Sequence, residues 1–263
     1  MHVSRLGSGP RVVLVHGSVA NGAATWEGQL RLADRYELVV PDRPGFPPNP
    51  PVERLDFEEQ APLIAELLGD GAHLVGHSTA ASSPCSPPAS RPDVVRSLVL
   101  LEPPAVGVAS GNAAVDAFAA AAQEHWRSGP AEPRAFLEGF LRAVGSGRAL
   151  PDPLPPELEQ GARTLMVERG PWEADPPLRE LAAAPFPKLV VSGGHSAARE
   201  TQTPRRGVAV SLRGSTSAVA SVAVPATAGS DPVMSRRDMT TWCKTGAQDD
   251  IPPGARCDGR HGR

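Results

Sequence analysis

His73-Leu74-Val75-Gly76-His77-Ser78-Thr79-Ala80 decides the reading of this chain. A short apolar run closes on Gly76, and a serine follows with one small residue two positions before it and another two positions after it. Such a run, bounded by turn signals, reads as a buried strand. The glycine at its end places the serine in a tight turn.

The chain on either side repeats the pattern. Arg11-Val12-Val13-Leu14-Val15-His16-Gly17 is a β-branched run ending in a glycine turn, the kind of strand that a parallel sheet covers on both faces. A helix-compatible stretch with Trp26, Leu30 and Leu32 follows. Residues 36–40 are a second buried strand, closed by Pro41-Asp42, and Gly45 with the prolines at 44, 47, 48, 50 and 51 makes a loop. Asp56 opens a helix with Glu59 at capping-box spacing, and Phe57, Ala61, Ile64, Ala65 and Leu68 share one face. Gly69 and Gly71 end that helix, the strand 73–77 is the third, and residues 97–101 are a fourth.

Residues 106–186 read as mostly helical and Ala-rich, with helical faces over 112–126, 133–143 and 155–168. Lys188-Leu189-Val190-Val191-Ser192-Gly193 then returns to strand, so the detour reads as an inserted lid. Strands alternating with helices predict an α/β chain with a mostly parallel, doubly wound sheet and flanking helices. The expected organisation is a core over 1–105, a lid over 106–186, a return strand over 187–198, and an irregular, incomplete tail over 199–263. That tail carries more basic than acidic residues and shows neither strand nor helix period.

Composition sets bounds. The 263 residues suit one sizeable domain with an insertion. A net charge of -3 gives no reason to expect nucleic acid or an anionic membrane as partner. No stretch approaches the roughly 18 consecutive apolar residues of a membrane span. The first residues lack the basic-then-apolar pattern of a secretory signal, so a cytoplasmic location is the expectation. Cys85, Cys243 and Cys257 are too few and too widely spaced for a disulfide framework or a zinc site.

Gly76-His77-Ser78-Thr79-Ala80 resembles the nucleophile elbow G-x-S-x-G, with Ala in place of the last Gly. His16-Gly17-Ser18 resembles the loop that supplies an oxyanion-hole amide in the same family. Asp42-Arg43-Pro44-Gly45 resembles its D-x-x-G turn, and residues 97–103 its strand after the nucleophile helix. These matches occur in the right order, and over residues 1 to about 198 the chain resembles the lidded, esterase- or lipase-like α/β-hydrolase superfamily.

The resemblance implies a serine hydrolase acting on a small ester or related acyl compound. Ser78 would attack the carbonyl carbon, and the backbone N–H groups of Ser18 and Thr79 would hold the oxyanion. A histidine would take the serine proton, a carboxylate would orient that histidine, and water would complete turnover through an acyl-enzyme. Most members carry the acid after the strand preceding the last one, but here that strand ends Gly193-Gly194-His195-Ser196, with no acid before Glu200. A minority carry it where Glu102 stands, so Glu102 is the expected acid. The bland alternative for Glu102 is a surface carboxylate near a strand end. His195 is the expected base, at a strand end on the correct side of the sheet but one strand early. His125 falls in the lid, His261 lies near the end of the tail, and His16 and His77 belong to motif backbones with structural roles.

The expected partner is a small-molecule substrate, with no cofactor, metal, nucleic acid or membrane. A serine nucleophile argues against a dehalogenase, which uses Asp on this fold. The rivals are an inactive relative that binds a ligand or partner under its lid, the inactive product of a damaged gene, and a carbon–carbon hydrolase or cofactor-free haloperoxidase on the same scaffold.

Two segments depart from the family pattern. Ser78 should be followed by a helix, yet Pro84, Pro87 and Pro88 interrupt it, and an interior proline costs a helix about 3 kcal/mol. With GC-rich codons, one base inserted after codon 78 gives Ser-Tyr-Gly-Gly-Val-Val-Ala-Leu-Leu, an elbow followed by an apolar helix. The same offset turns residues 223–227 into Gly-Ala-Gly-His, which resembles the loop bearing the family's catalytic histidine. One local and one terminal frameshift relative to a working hydrolase is therefore the expectation, and the nucleotide sequence tests it.

Overall fold

The computed structural model describes residues 1–81, 91–104, 106–192, 210–211 and 220–223. All of these lie in the unit Met1–Gly229, and the unit Ser230–Arg263 contains none of them. The strands are β1 (Val3–Leu6), β2 (Arg11–Val15), β3 (Glu37–Pro41), β4 (Ala72–His77), β5 (Val95–Leu101), β6 (Lys188–Ser192), β7 (Val210–Ser211) and β8 (Ala220–Ala223). They form one sheet in the order β1-β3-β2-β4-β5-β6-β8-β7. The five strands from β3 to β6 in that order run parallel, and β1, β8 and β7 pair antiparallel at the two sides. The expected α/β, mostly parallel sheet is present.

The sequence explains its centre. Val13, Leu14, Leu38, Val39, Leu74 and Val75 are all 0% exposed, so adjacent residues on one strand are buried on opposite faces. Burying one such side chain contributes about 1.5–3 kcal/mol. The chain leaves β2 for β3 on one side, then crosses to β4 on the other. That reversal is a topological switch point, and open α/β sheets bind ligands in the crevice at the carboxyl ends of such strands. The register pairs Val15 with Gly76, which sets the loop after β2 level with the turn after β4.

The helices are α1 (Gly22–Trp26), α2 (Phe57–Leu67), α3 (Ala113–Ser128), α4 (Pro133–Ala143), α5 (Pro156–Val167) and α6 (Leu178–Ala183). Asp56 caps α2 as expected, but its side chain accepts from the Glu58 N–H. The stretch after α1 is a 3₁₀ segment over Glu27–Asp34. Helices α3 to α6 all fall between residues 106 and 186; α4 and α5 share a core of Phe136, Leu137, Ala162 and Leu165, while Leu181 of α6 packs into the main sheet core. Trp126 packs edge-on against Phe136, Phe140 and Trp172. Ser78–Ala81 is a 3₁₀ turn, and the proline-rich residues 82–90 lie outside the described residues, as do residues 224–227 of the second suspected frame change, whose Ala223 ends β8. Within 199–263 the described residues are strands β7 and β8. Among the described residues, no helix is long and apolar enough to cross a membrane.

Candidate active site

Three non-glycine residues have positive φ among those described: Val19 at 83°, Ser78 at 55° and Glu102 at 50°. Such backbone is costly for a residue with a Cβ and persists where the surroundings enforce it. All three stand just past the carboxyl end of a strand, after β2, β4 and β5 respectively. The strain is therefore gathered at one edge of the sheet, on both sides of the switch point.

Ser78 turns sharply because its neighbours allow it. Gly76 is buried, and Ala80 is 0% exposed within the main core, where its methyl packs against the sheet. Gly17 has to be glycine. A Cβ there would lie 2.7 Å from the Ser78 Cβ and 3.0 Å from the His77 carbonyl oxygen. The loop after β2 thus runs in direct contact with the turn that carries Ser78.

His16 fixes that loop. Its Nε2 accepts the Arg43 N–H at 2.8 Å, so the proton sits on Nδ1, which donates to the Gly17 carbonyl at 2.7 Å. Burial, with the Arg43 charge beside it, lowers its pKa from 6.5 to about 3. His16 is a neutral brace between two loops, matching its expected structural role.

Ser18 and Thr79 meet side to side, with their hydroxyl oxygens 2.6 Å apart. Ser18 also donates to Glu168, the residue just past α5. Glu168 in turn accepts from Arg43, and the two side chains are only 4% and 1% exposed. Arg43 Nε donates to Gln60 at 2.8 Å. A continuous polar chain therefore joins Thr79, Ser18, Glu168, Arg43 and Gln60. Sequence reading missed Glu168, because its partners Arg43 and Ser18 lie 125 and 150 positions away.

Glu102 stands at the end of β5, beside the strand that carries Ser78. Its N–H donates to the Val191 carbonyl at 2.7 Å, holding the turn against β6. Its charge reaches His77, whose pKa is lowered by burial and partly drawn back up by Glu102. The other described histidines have positions of their own. His73 meets the Ser97 hydroxyl at 2.7 Å, and His2 meets Asp42 at 2.6 Å. His125 donates to the Phe136 carbonyl at 2.9 Å and stacks on that ring. His195, like Glu200 and His261, lies outside the described residues. The described geometry thus brings Ser18, Ser78 and Thr79 together and sets Glu102 on the adjacent strand end.

The model of the alpha/beta hydrolase family matches residues 12–241. The 2-(acetamidomethylene)succinate hydrolase of Mesorhizobium japonicum is 34% identical over 107 residues, which is 39% of this chain and 38% of that protein. The pimeloyl-[acyl-carrier protein] methyl ester esterase of Aeromonas hydrophila is 34% identical over 100 residues, 37% of this chain and 39% of that protein. The matches thus span about two fifths of these curated relatives. Among solved structures, an alpha/beta hydrolase from Sphaerobacter thermophilus aligns with a TM-score of 0.51 at 25% identity, over 76% of this chain and 80% of that one. A thermophilic esterase from Thermogutta terrifontis aligns with a TM-score of 0.53 at 22% identity, over 72% and 73% of the two chains, a likeness of fold.

Proposed function

This chain belongs to the alpha/beta hydrolase family, and from that premise we propose that it is a serine hydrolase of small carboxylic esters or related acyl compounds, with Ser78 as nucleophile. One observation carries the reading. Ser78 holds a left-handed backbone at 55° directly beside a glycine loop that a single methyl group would obstruct. A strained serine at the carboxyl end of a central strand, at the switch point of the sheet, is arranged for attack on a bound carbonyl. The curated hydrolase and esterase relatives support the same reaction class.

In this mechanism the Ser78 Oγ adds to the carbonyl carbon and the carbonyl oxygen becomes an oxyanion. The N–H groups of Ser18 and Thr79 receive that charge, on the two segments that Gly17 allows to touch. His195 takes the serine proton and returns it to the leaving group, and Glu102 orients the imidazolium. Water then releases the acid from the acyl-enzyme. His16 is excluded as base, because its ring nitrogens are committed to Arg43 and Gly17. The reaction needs no cofactor, and we place the protein in the cytoplasm with a small-molecule substrate. The lid spans 106–186, between core segments 1–105 and 187–198.

A second reading is a binding protein that has lost turnover. The structural engagement of His2, His16, His73 and His125 favours it. A fluorophosphonate probe separates the two. The hydrolase reading expects covalent labelling of the full chain that disappears in Ser78→Ala. A chain that resists the probe, or labels equally after that substitution, is not a hydrolase acting through Ser78.

A further inference from the structure

Glu168 is an odd residue to find buried. It is 5% exposed, at the end of a lid helix, and its carboxylate is bonded to Ser18 and Arg43, which lie in the loops after β2 and β3. One carboxylate oxygen accepts from the Arg43 guanidinium and the other from the Ser18 hydroxyl. Its carbonyl accepts the Trp126 indole N–H at 3.0 Å, from the aromatic core between the lid helices. Its chain neighbours are stitched to the segment before α2: Leu55 N–H donates to the Val167 carbonyl at 3.1 Å and Arg169 N–H to the Leu55 carbonyl at 2.8 Å.

Proton counting orders the chain of contacts. A carboxylate held against a guanidinium only accepts, so the single Ser18 hydroxyl proton goes to Glu168. The contact between Ser18 and Thr79 is 2.6 Å, and the only proton left for it belongs to Thr79. Thr79 therefore donates to Ser18, which donates to Glu168, which is anchored by Arg43. Each link has one direction, and the anchor is charged and buried, where such bonds are strongest. The two residues joined are those whose backbone amides serve the oxyanion in the proposed reaction.

We infer that Glu168 is a positioning residue, which sets the Ser18 and Thr79 amides relative to each other through their side chains and so couples the lid to the oxyanion pocket. This rests on the reading of Ser78 as nucleophile for its catalytic consequence, but not for its geometry. The lid enters the site by this route whatever substrate it covers. The arrangement also accounts for a hydroxyl residue at both 18 and 79, where the amide alone would accept any side chain.

Two variants and two measurements test it. Ser18→Ala keeps the Ser18 amide and the Arg43–Glu168 pair but removes the link. Glu168→Gln keeps the shape and removes the charged anchor. Amide hydrogen exchange on the full chain, followed by NMR, is expected to rise at least tenfold at residues 18 and 79 in both variants and to stay unchanged at Val13 and Val75. With p-nitrophenyl acetate, kcat is expected to fall tenfold or more while KM stays within about threefold, and Ser18→Thr is expected to restore most of kcat. Unchanged exchange at residues 18 and 79 in folded Ser18→Ala overturns the inference, as does a rise in KM with kcat preserved. Should the unsubstituted chain neither hydrolyse the ester nor react with fluorophosphonate, the Ser78 reading has failed instead. The exchange rates alone then decide whether Glu168 positions these segments.

Discussion

At the scale of single residues, His16 shows how a fold uses an imidazole without using its chemistry. The ring is fully buried between an amide and a carbonyl of two different loops, and its pKa lies near 3 rather than 6.5. The unfolded chain binds a proton there below pH 6.5 and the folded chain does not until about pH 3. Stability therefore rises with pH through that window and is lost as pH falls. The shift amounts to about 3 kcal/mol between pH 7 and pH 4. His77 acts with the same sign, since burial also lowers its pKa. Glu37, held below its usual 4.5 chiefly by the hydrogen bond from Arg11, adds its own loss only at lower pH. Urea unfolding at pH 7, 6, 5 and 4 should thus show a steep decline that is shallower by about one proton in His16→Asn. Equal slopes for the two proteins would mean that the buried ring does titrate in the folded state.

At the scale of elements, helix α5 and the loop after β2 form one unit. Gly161 in the helix lies against Val19, and a Cβ there would sit 2.0 Å from the Val19 carbonyl oxygen. Thr164 and Gln160 on the same helix donate to the Gly45 carbonyl at 2.7 and 2.8 Å. In an ordinary helix interior, Gly→Ala stabilises by roughly 0.5–1 kcal/mol. Gly161→Ala should do the opposite, because backbone atoms have to move, and a loss of about 1–3 kcal/mol is expected. Gly147, whose Cβ would meet nothing within 4 Å, is the control, and its change to Ala should stay within about 0.5 kcal/mol. Thermal denaturation checks the sign, and a stabilised Gly161→Ala would refute the proposed contact. The same elements show what sequence can convey. The central strands were legible because unbroken β-branched runs carry their burial in local composition. The helices between residues 106 and 186 were legible from their period, close to the observed bounds of Ala113–Ser128, Pro133–Ala143 and Pro156–Val167. Strand β1 was not, because Val-Ser-Arg-Leu is short, mostly half-exposed and recognisable only through its pairing with β3. Ser78 and the loop at 16–18 were legible through their resemblance to family motifs, whose small residues flank the serine. Glu168 was not, since nothing local marks an acid whose burial is secured by partners more than a hundred positions away.

At the scale of the whole molecule, two parts of the chain disagree in quality. The sheet from β1 to β6 and the helices between residues 113 and 183 are mutually consistent, local preference agreeing with the global arrangement everywhere but at the strained edge. The stretch 82–90 breaks that consistency at the one place where the family pattern calls for a helix, whose first amides would lend positive charge to the oxyanion. Three prolines and a run of serines leave it without an apolar face. If the chain carries the frame change inferred from its sequence, restoring the apolar pattern should repair both stability and reactivity. The variant Ser82→Val, Ser83→Val, Pro84→Ala, Cys85→Leu, Ser86→Leu, Pro87→Ala, Pro88→Ala removes all three prolines and tests this while leaving Ser78, Thr79 and Ala80 untouched. Removing an interior proline alone is worth about 3 kcal/mol in a formed helix, and the introduced valines and leucines would be shielded from water if they pack on the sheet. We expect a higher urea midpoint and faster fluorophosphonate labelling of Ser78 than in the unsubstituted chain. A repaired segment that lowers solubility and leaves the midpoint where it was would show that no helix is waiting to form there, and that the chain's own sequence, prolines included, is the one its fold requires.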